Sequence, residues 1–318
     1  MPVFKIHHIT QYTYDQPVTD SVNEIRILPF QGVEQEILKH DLMISQHPEL
    51  YSFDDYWGNR VATFSITEPH QELVIESQLT IRTLSAPQIQ VNFHSNFQDL
   101  QAEIAGNMML LELIRPEQIT KQAMVDAICS MIDQPELSVA QTVERCSEYI
   151  FKYFKYTKGI TSIETTLDEI LEHQGGVCQD FAHLLLQILR SKGIPCRYVS
   201  GYICPNKNGM RGEGATHAWI EAYIPQFGWA GIDPTNNVWI TNNHVKLAVG
   251  RDFRDCTPVK GTFRGVSHQS LYVFVSVGYE DGHTFQETHQ VQMDKEEAPL
   301  TIASLPPTPE DMMAQQQQ

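Results

Sequence analysis

The stretch "TTLDEILEHQGGVCQDFAHLLLQILRSKGIP", residues 165–195, most constrains what this chain can fold into. Phe181, Leu184, Leu185, Ile188 and Leu189 recur at helical spacing and form one apolar stripe, and Gly193 followed by Pro195 stops the helix. Upstream, Thr166 and Glu169 have capping-box spacing, so a short helix begins there and is predicted to end at Gly175 and Gly176. A further helix follows Ser138, a candidate N-cap, with Val139, Val143, Cys146 and Ile150 on one face. After the stripe come "CRYVSGYIC", "THAWIEAYIP" and "WAGIDPT", which read as strands. Helices followed by strands within one segment predict an α+β domain, a helix bundle with an antiparallel sheet.

The rest of the chain is arranged around that segment. Residues 1–86 read as an N-terminal β-rich domain, with short β-branched and aromatic runs and a turn at Gly58–Asn59. Residues 87–137 read as a partly helical connection, because Gly106 and Pro116 interrupt the apolar pattern. Residues 138–262 form the core, and 263–295 read as a C-terminal β-hairpin turning at Asp281–Gly282. The Pro- and Gln-rich tail, 296–318, is expected to be disordered.

Composition narrows the function classes. With 22 Lys and Arg against 39 Asp and Glu, the chain carries −17, the reverse of a nucleic-acid footprint and unfavourable on anionic membranes. That balance favours basic or neutral substrates. No signal-peptide pattern opens the chain and no apolar run reaches membrane-span length. Six cysteines without a C-x-x-C point to a reducing, cytoplasmic compartment.

Chemistry concentrates on three residues. Cys178 stands in the first turn of the striped helix, where free N–H groups and the macrodipole favour a thiolate. His217 opens one strand and Asp233 closes the next, and the short turn "PQFG" joins the two as a hairpin. A register centred on Gln226 makes His217 and Asp233 diagonal neighbours on one face; a slip of one residue separates them. A thiol, an imidazole and an orienting carboxylate are the parts needed for nucleophilic attack on a carbonyl. The Cys178 N–H is a candidate oxyanion donor, with Tyr156 or Gln174 as the second, and Trp219 and Trp229 as possible cleft walls. Asp180 is a candidate for holding the helix start, and His183 for packing. A zinc site from Cys178, Cys196, Cys204 and His217 fits no common spacing.

The segments "GGVCQDFAHLLLQILRSKGIPCRYVSGYI", "THAWIEAYIPQFGWAGIDPTNN" and "VGRDFRDCTPVKGTFRG" resemble the core of the transglutaminase-like superfamily, in its bacterial cysteine-protease-like branch. "DYWGNRVATFSITEPHQELVIES" is similar to the N-terminal region of that branch. The resemblance implies a papain-like core and a Cys178, His217, Asp233 triad. Cys196 and Cys256 depart from the small or apolar residues expected at their positions. Some relatives use calcium, but no D-x-D-x-D-G loop is present, so no metal or cofactor is carried over. The resulting expectation is a hydrolase or acyl transferase acting on a peptide or protein through a thioester, with hydrolysis favoured. The alternative is a peptide-binding module that keeps the fold without turnover. The sequence leaves the oligomeric state open.

Overall fold

The computed structural model describes all residues except 85–94, 135, 160–164, 205–209, 213–214, 280–283 and 294–318. The chain begins with five strands, β1 (Val3–Ile25), β2 (Gln35–Ile44), β3 (Tyr51–Asp54), β4 (Arg60–Ile66) and β5 (His70–Thr83). Helices α1 (Phe97–Ala105), α2 (Met108–Leu113), α3 (Gln122–Ile132) and α4 (Val139–Tyr153) follow. Then come β6 (Lys155–Tyr156), α5 (Leu167–His173), β7 (Gly175–Gly176) and α6 (Cys178–Ser191). Strands β8 (Cys196–Ile203), β9 (Ala215–Ile224), β10 (Gly228–Asp233), β11 (Val238–Trp239) and β12 (His244–Gly250) build a second sheet. The described part closes with α7 (Phe253–Cys256), β13 (Val259–Arg264), β14 (Gln269–Tyr279) and β15 (Thr284–Met293).

Helix α6 is the hub of the core. All five residues of its predicted stripe are fully buried, each contributing roughly 1.5–3 kcal/mol of apolar burial. They pack with α3, α4 and α5 against Ala218, Ile220, Ala222 and Ile224 of β9. The five-stranded sheet runs β11-β10-β9-β8-β12, and each recorded pairing in it is antiparallel. Ser138 and Thr166 cap α4 and α5 through complete capping boxes. The end of α5 differs from expectation. Gln174 takes the left-handed cap, and Gly175–Gly176 instead form β7, parallel to β6.

The domain division also differs from the one read in the sequence. Strand β14 pairs with β1 from Phe4↔Tyr279 to Tyr14↔Gln269, and β13 pairs with the end of β1. The C-terminal hairpin therefore completes the N-terminal sheet, because the long β1 offers backbone groups that need partners. Residues 97–132 likewise join the core, where Leu100, Leu110, Val125 and Ile128 pack with α4 and α6. The turn expected at Asp281–Gly282 and the tail lie outside the described residues. No described helix is long and apolar enough to cross a membrane.

The two sheets meet through a mixed interface. Phe4, Ile6, Leu79 and Ile81 pack with Tyr202, Val245 and Leu247. Strand β12 is the edge of its sheet, and two amides of the N-terminal region satisfy part of it. Gln35 donates to the Lys246 carbonyl and accepts from its N–H, both at 2.9 Å. Asn59 does the same with Val249, both at 2.7 Å. An edge answered in this way is closed to strand addition from outside.

Candidate active site

Cys178 is the first residue of α6 and is half-buried. Asp180, in the same turn, accepts the Val177 N–H at 2.7 Å and fixes the helix start. Gly176 is required beside it, since a Cβ there would stand 2.4 Å from an Asp180 oxygen. Across the site, β9 and β10 pair from Gly228↔Ile224 to Ile232↔Ile220, the register centred on Gln226. That register brings His217 and Asp233 together, and Nε2 of His217 donates to Oδ2 of Asp233 at 2.9 Å with both side chains fully buried.

Asp233 is held from several sides. Oδ1 accepts the N–H groups of Thr235 (2.8 Å) and Asn236 (3.3 Å), and Oδ2 accepts Nδ2 of Asn236 at 2.7 Å. His244, at the start of β12, contributes Nε2 at 3.4 Å from the same Oδ2. Burial opposes ionisation of Asp233, yet the charge and hydrogen bond of His217 outweigh it and hold the carboxyl well below the carboxylate range. Burial likewise opposes the imidazolium of His217, but the charges of Asp233 and Cys178 push its pKa up to about 10. Burial keeps His244 low, so that ring is neutral. The three side chains present ligand-type atoms within 4.8 Å of one another, the cluster of that kind found among the described residues. A metal there would take the Asp233 oxygen from both rings.

The other ring nitrogen of His217 lies close to Gly212. Nδ1 is buried without a well-formed hydrogen bond, while Cys178 lies close enough to stabilise the charged ring. Gly212 takes φ +79°, and a Cβ on it would stand 3.2 Å from Nδ1 and 3.8 Å from the Tyr156 hydroxyl. Tyr156 is thus beside the site, its ring edge-on to Phe181. The Gln174 side chain is exposed at the α5 cap, and the residue's backbone carbonyl accepts the Lys155 N–H. Trp219 is fully buried, tilted under His217 with ring centroids 6.3 Å apart, so it is a floor rather than a wall. Trp229 lies under the Arg197 guanidinium instead. His183 is packed against Tyr198, and its Nε2 accepts the Phe253 N–H at 3.2 Å. Cys196 and Cys204 are buried, and all six cysteines are free.

Sequence reasoning missed His244, Asn236 and Gly212. Asn236 follows Asp233 by three residues and had a readable turn signal in "DPTNN". His244 had none, because it reaches Asp233 from a strand three places away in the sheet.

Comparison with known proteins agrees with this architecture. Residues 4–82 match the bacterial transglutaminase-like N-terminal region, and 126–234 match the transglutaminase-like superfamily core. An uncharacterised protein of Mycobacterium leprae is 32% identical over 277 residues, covering 86% of this chain and 97% of its own. A protein-glutamine gamma-glutamyltransferase of Pseudomonas aeruginosa is 25% identical over 214 residues, covering 63% of this chain and 30% of that protein. A candidate cysteine protease of Cytophaga hutchinsonii shares the fold at a TM-score of 0.66, with 21% identity over 93% of this chain and 92% of that one. With both family regions in the expected order around a Cys178–His217–Asp233 cluster, the chain belongs to the transglutaminase-like superfamily, with the bacterial transglutaminase-like N-terminal region.

Proposed function

We propose that this protein is a cysteine-dependent acyl-transfer enzyme acting on a peptide or protein amide, with water as the acceptor. The observation that supports it most is the buried His217–Asp233 pair, which leaves Nδ1 of His217 facing Cys178 at the start of α6. In this reading the Cys178 thiolate attacks the amide carbonyl carbon. The C–N bond breaks, the amine leaves with a proton from Nδ1 of His217, and a thioester remains. Water then gives a proton back to His217, its oxygen attacks the thioester carbonyl, and the acid departs as the thiolate is restored. Asp233 keeps the ring oriented and the imidazolium charged. The Cys178 N–H, in the first turn of α6, and the Tyr156 hydroxyl are the candidate oxyanion donors. The gamma-glutamyltransferase of P. aeruginosa carries a name that implies an amine acceptor, which makes amine transfer the competing resolution of the same thioester.

The test is the pH dependence of Cys178 alkylation by iodoacetamide in wild type and His217→Ala, read by peptide mass spectrometry. The expected result is a thiol that reacts well below the free value of about 8.5, with this behaviour lost in the variant. Slow alkylation with an ordinary midpoint in both proteins would overturn the reading and leave a peptide-binding module. Incubating the wild type with a glutamine peptide, with and without a primary amine, then separates hydrolysis from transfer.

A further inference from the structure

Beside the site runs a shallow groove of about 380 Å³ whose charge is opposite to that of the protein as a whole. Lys152, Lys155 and Arg211 line it together with Phe151, Tyr156 and two further aromatic residues, and no carboxylate among the described residues does. In a chain of −17, with 39 acidic residues against 22 basic ones, such a lining is out of keeping with the surface average. Lys152 is tied to Glu148, but neither Lys155 nor Arg211 has a carboxylate partner among the described residues. A neighbouring cavity, lined by Glu144 and Glu148, has no such bias.

Arg211 is held in a way that suits recognition. Its guanidinium stacks on Phe151 at 4.4 Å and donates to the Thr235 carbonyl at 3.4 Å. Its backbone is clamped by Asn236, which accepts the Arg211 N–H at 2.7 Å and donates to its carbonyl at 3.2 Å. The same Asn236 amide reaches Oδ2 of Asp233. Among the described residues the guanidinium makes this one hydrogen bond, which leaves donors for a ligand in the fork that fits a carboxylate. The groove also abuts the reacting atoms: Tyr156 lines it, and Gly212, the next residue after Arg211, borders Nδ1 of His217.

We propose that this groove selects an acidic peptide segment, placing Asp or Glu residues of the acyl donor on Lys155 and Arg211 next to the amide that meets Cys178. This rests on the reading of Cys178 as the nucleophile, and it replaces the preference for basic substrates that net charge alone implies. The local field beside the site decides, because charges farther than about 8 Å are screened at physiological salt.

The experiment measures binding on the full-length Cys178→Ser protein, which removes any dependence on turnover. Fluorescence anisotropy at physiological salt compares a fluorescein-labelled hexapeptide with four glutamates flanking Gln-Gly with its four-lysine counterpart. The expected result is at least about fivefold tighter binding of the acidic peptide, lost in Lys155→Glu and in Arg211→Glu. The two variants guard against a fold defect at either one, and circular dichroism checks both. Equal affinity, preference for the lysine peptide, or a preference that survives both variants would overturn the proposal. Displacement of the acidic peptide by a thymidine hexanucleotide of equal or higher affinity would also overturn it, in favour of a general polyanion site. Failure of the iodoacetamide test would remove the catalytic reading while leaving this binding result to stand or fall alone.

Discussion

His244 points its Nε2 at Oδ2 of Asp233 from 3.4 Å, the oxygen that His217 already contacts. One carboxylate therefore serves two imidazoles of different character. His217 is charged by Asp233 and Cys178, whereas burial keeps His244 neutral. The Thr241 N–H stands 3.5 Å from Nδ1 of His244, which assigns its proton to Nε2. Replacing His244 by Phe keeps the ring and removes one donor from a buried charge. The expected loss is about 1–3 kcal/mol of stability, measured by urea unfolding near neutral pH.

The pH dependence of stability has a fixed sign at His217. A base whose folded pKa is raised, here to about 10 from 6.5, contributes stability that is complete below the unfolded value. That contribution declines as pH rises from about 6.5 toward 10. Asp233, depressed in the folded protein, works at the other end: its contribution is complete above its ordinary value and is lost as pH falls below it. The stability difference between wild type and His217→Gln is expected to be largest near pH 5–6 and to shrink steadily toward pH 10. A difference independent of pH would contradict a charged ring.

Two other histidines predict an acid limit. Burial lowers His8 and His183 to about 4 each. His8, kept neutral by burial and by the neighbouring His7, shares a hydrogen bond of 2.8 Å with the Tyr202 hydroxyl across the interface between the sheets. The unfolded chain takes up protons at both positions between about pH 6.5 and 4, so stability drops over that window. Urea midpoints at pH 7 and pH 4.5 test this, and His183→Gln is expected to show a smaller drop than wild type.

Gly212→Ala addresses the close approach of the backbone to His217. The added methyl must tolerate φ +79°, at a cost of roughly 1–2 kcal/mol, and would stand 3.2 Å from Nδ1. Cys178 alkylation is expected to slow at least about tenfold while the far-ultraviolet circular dichroism is unchanged. An unchanged alkylation rate would mean that reagents approach Cys178 from another side.

Deletion of residues 1–84 is expected to fail as a route to an isolated transglutaminase-like core. It would expose Tyr202, Val245 and Leu247 and remove the amides of Gln35 and Asn59 from β12. It would also leave Lys246 without Glu34, although Glu221 still meets it. The expected product is insoluble or molten by near-ultraviolet circular dichroism. A soluble, cooperatively unfolding fragment would show that the second sheet is self-sufficient.

The parts of this fold that were legible in the sequence are those fixed locally. The stripe of α6 and the caps at Ser138 and Thr166 follow from spacing, and the short turn allows the β9–β10 register that places His217 near Asp233, which the structure then selects over a one-residue slip. What was not legible depends on partners far along the chain. Strand β2, "QEILKHDLMI", loses its alternation at Leu38, an extra residue between the Ile37↔Ile81 and Lys39↔Thr80 pairs, so its pattern is weak. The β14–β15 hairpin was readable as a hairpin, but nothing in its own residues names β1 as its neighbour. His244 and Gly212 carry no pattern of their own, since each acquires its meaning from the residue it stands beside. The charge of the groove was hidden for the opposite reason: a whole-chain sum averages Lys155 and Arg211 into a surplus of carboxylates located elsewhere.

The pairing of Phe4 with Tyr279 has a consequence for how the protein is made. Strand β1 is synthesised well before β14, and at about 5–20 residues per second the interval between them is tens of seconds. Throughout it, one side of β1 is an open template, and the helices and second sheet have time to assemble before the C-terminal strands arrive. Translation order thus leaves β1 exposed to wrong pairing until β14 is made. Closure of the first sheet comes after the second sheet has had time to form.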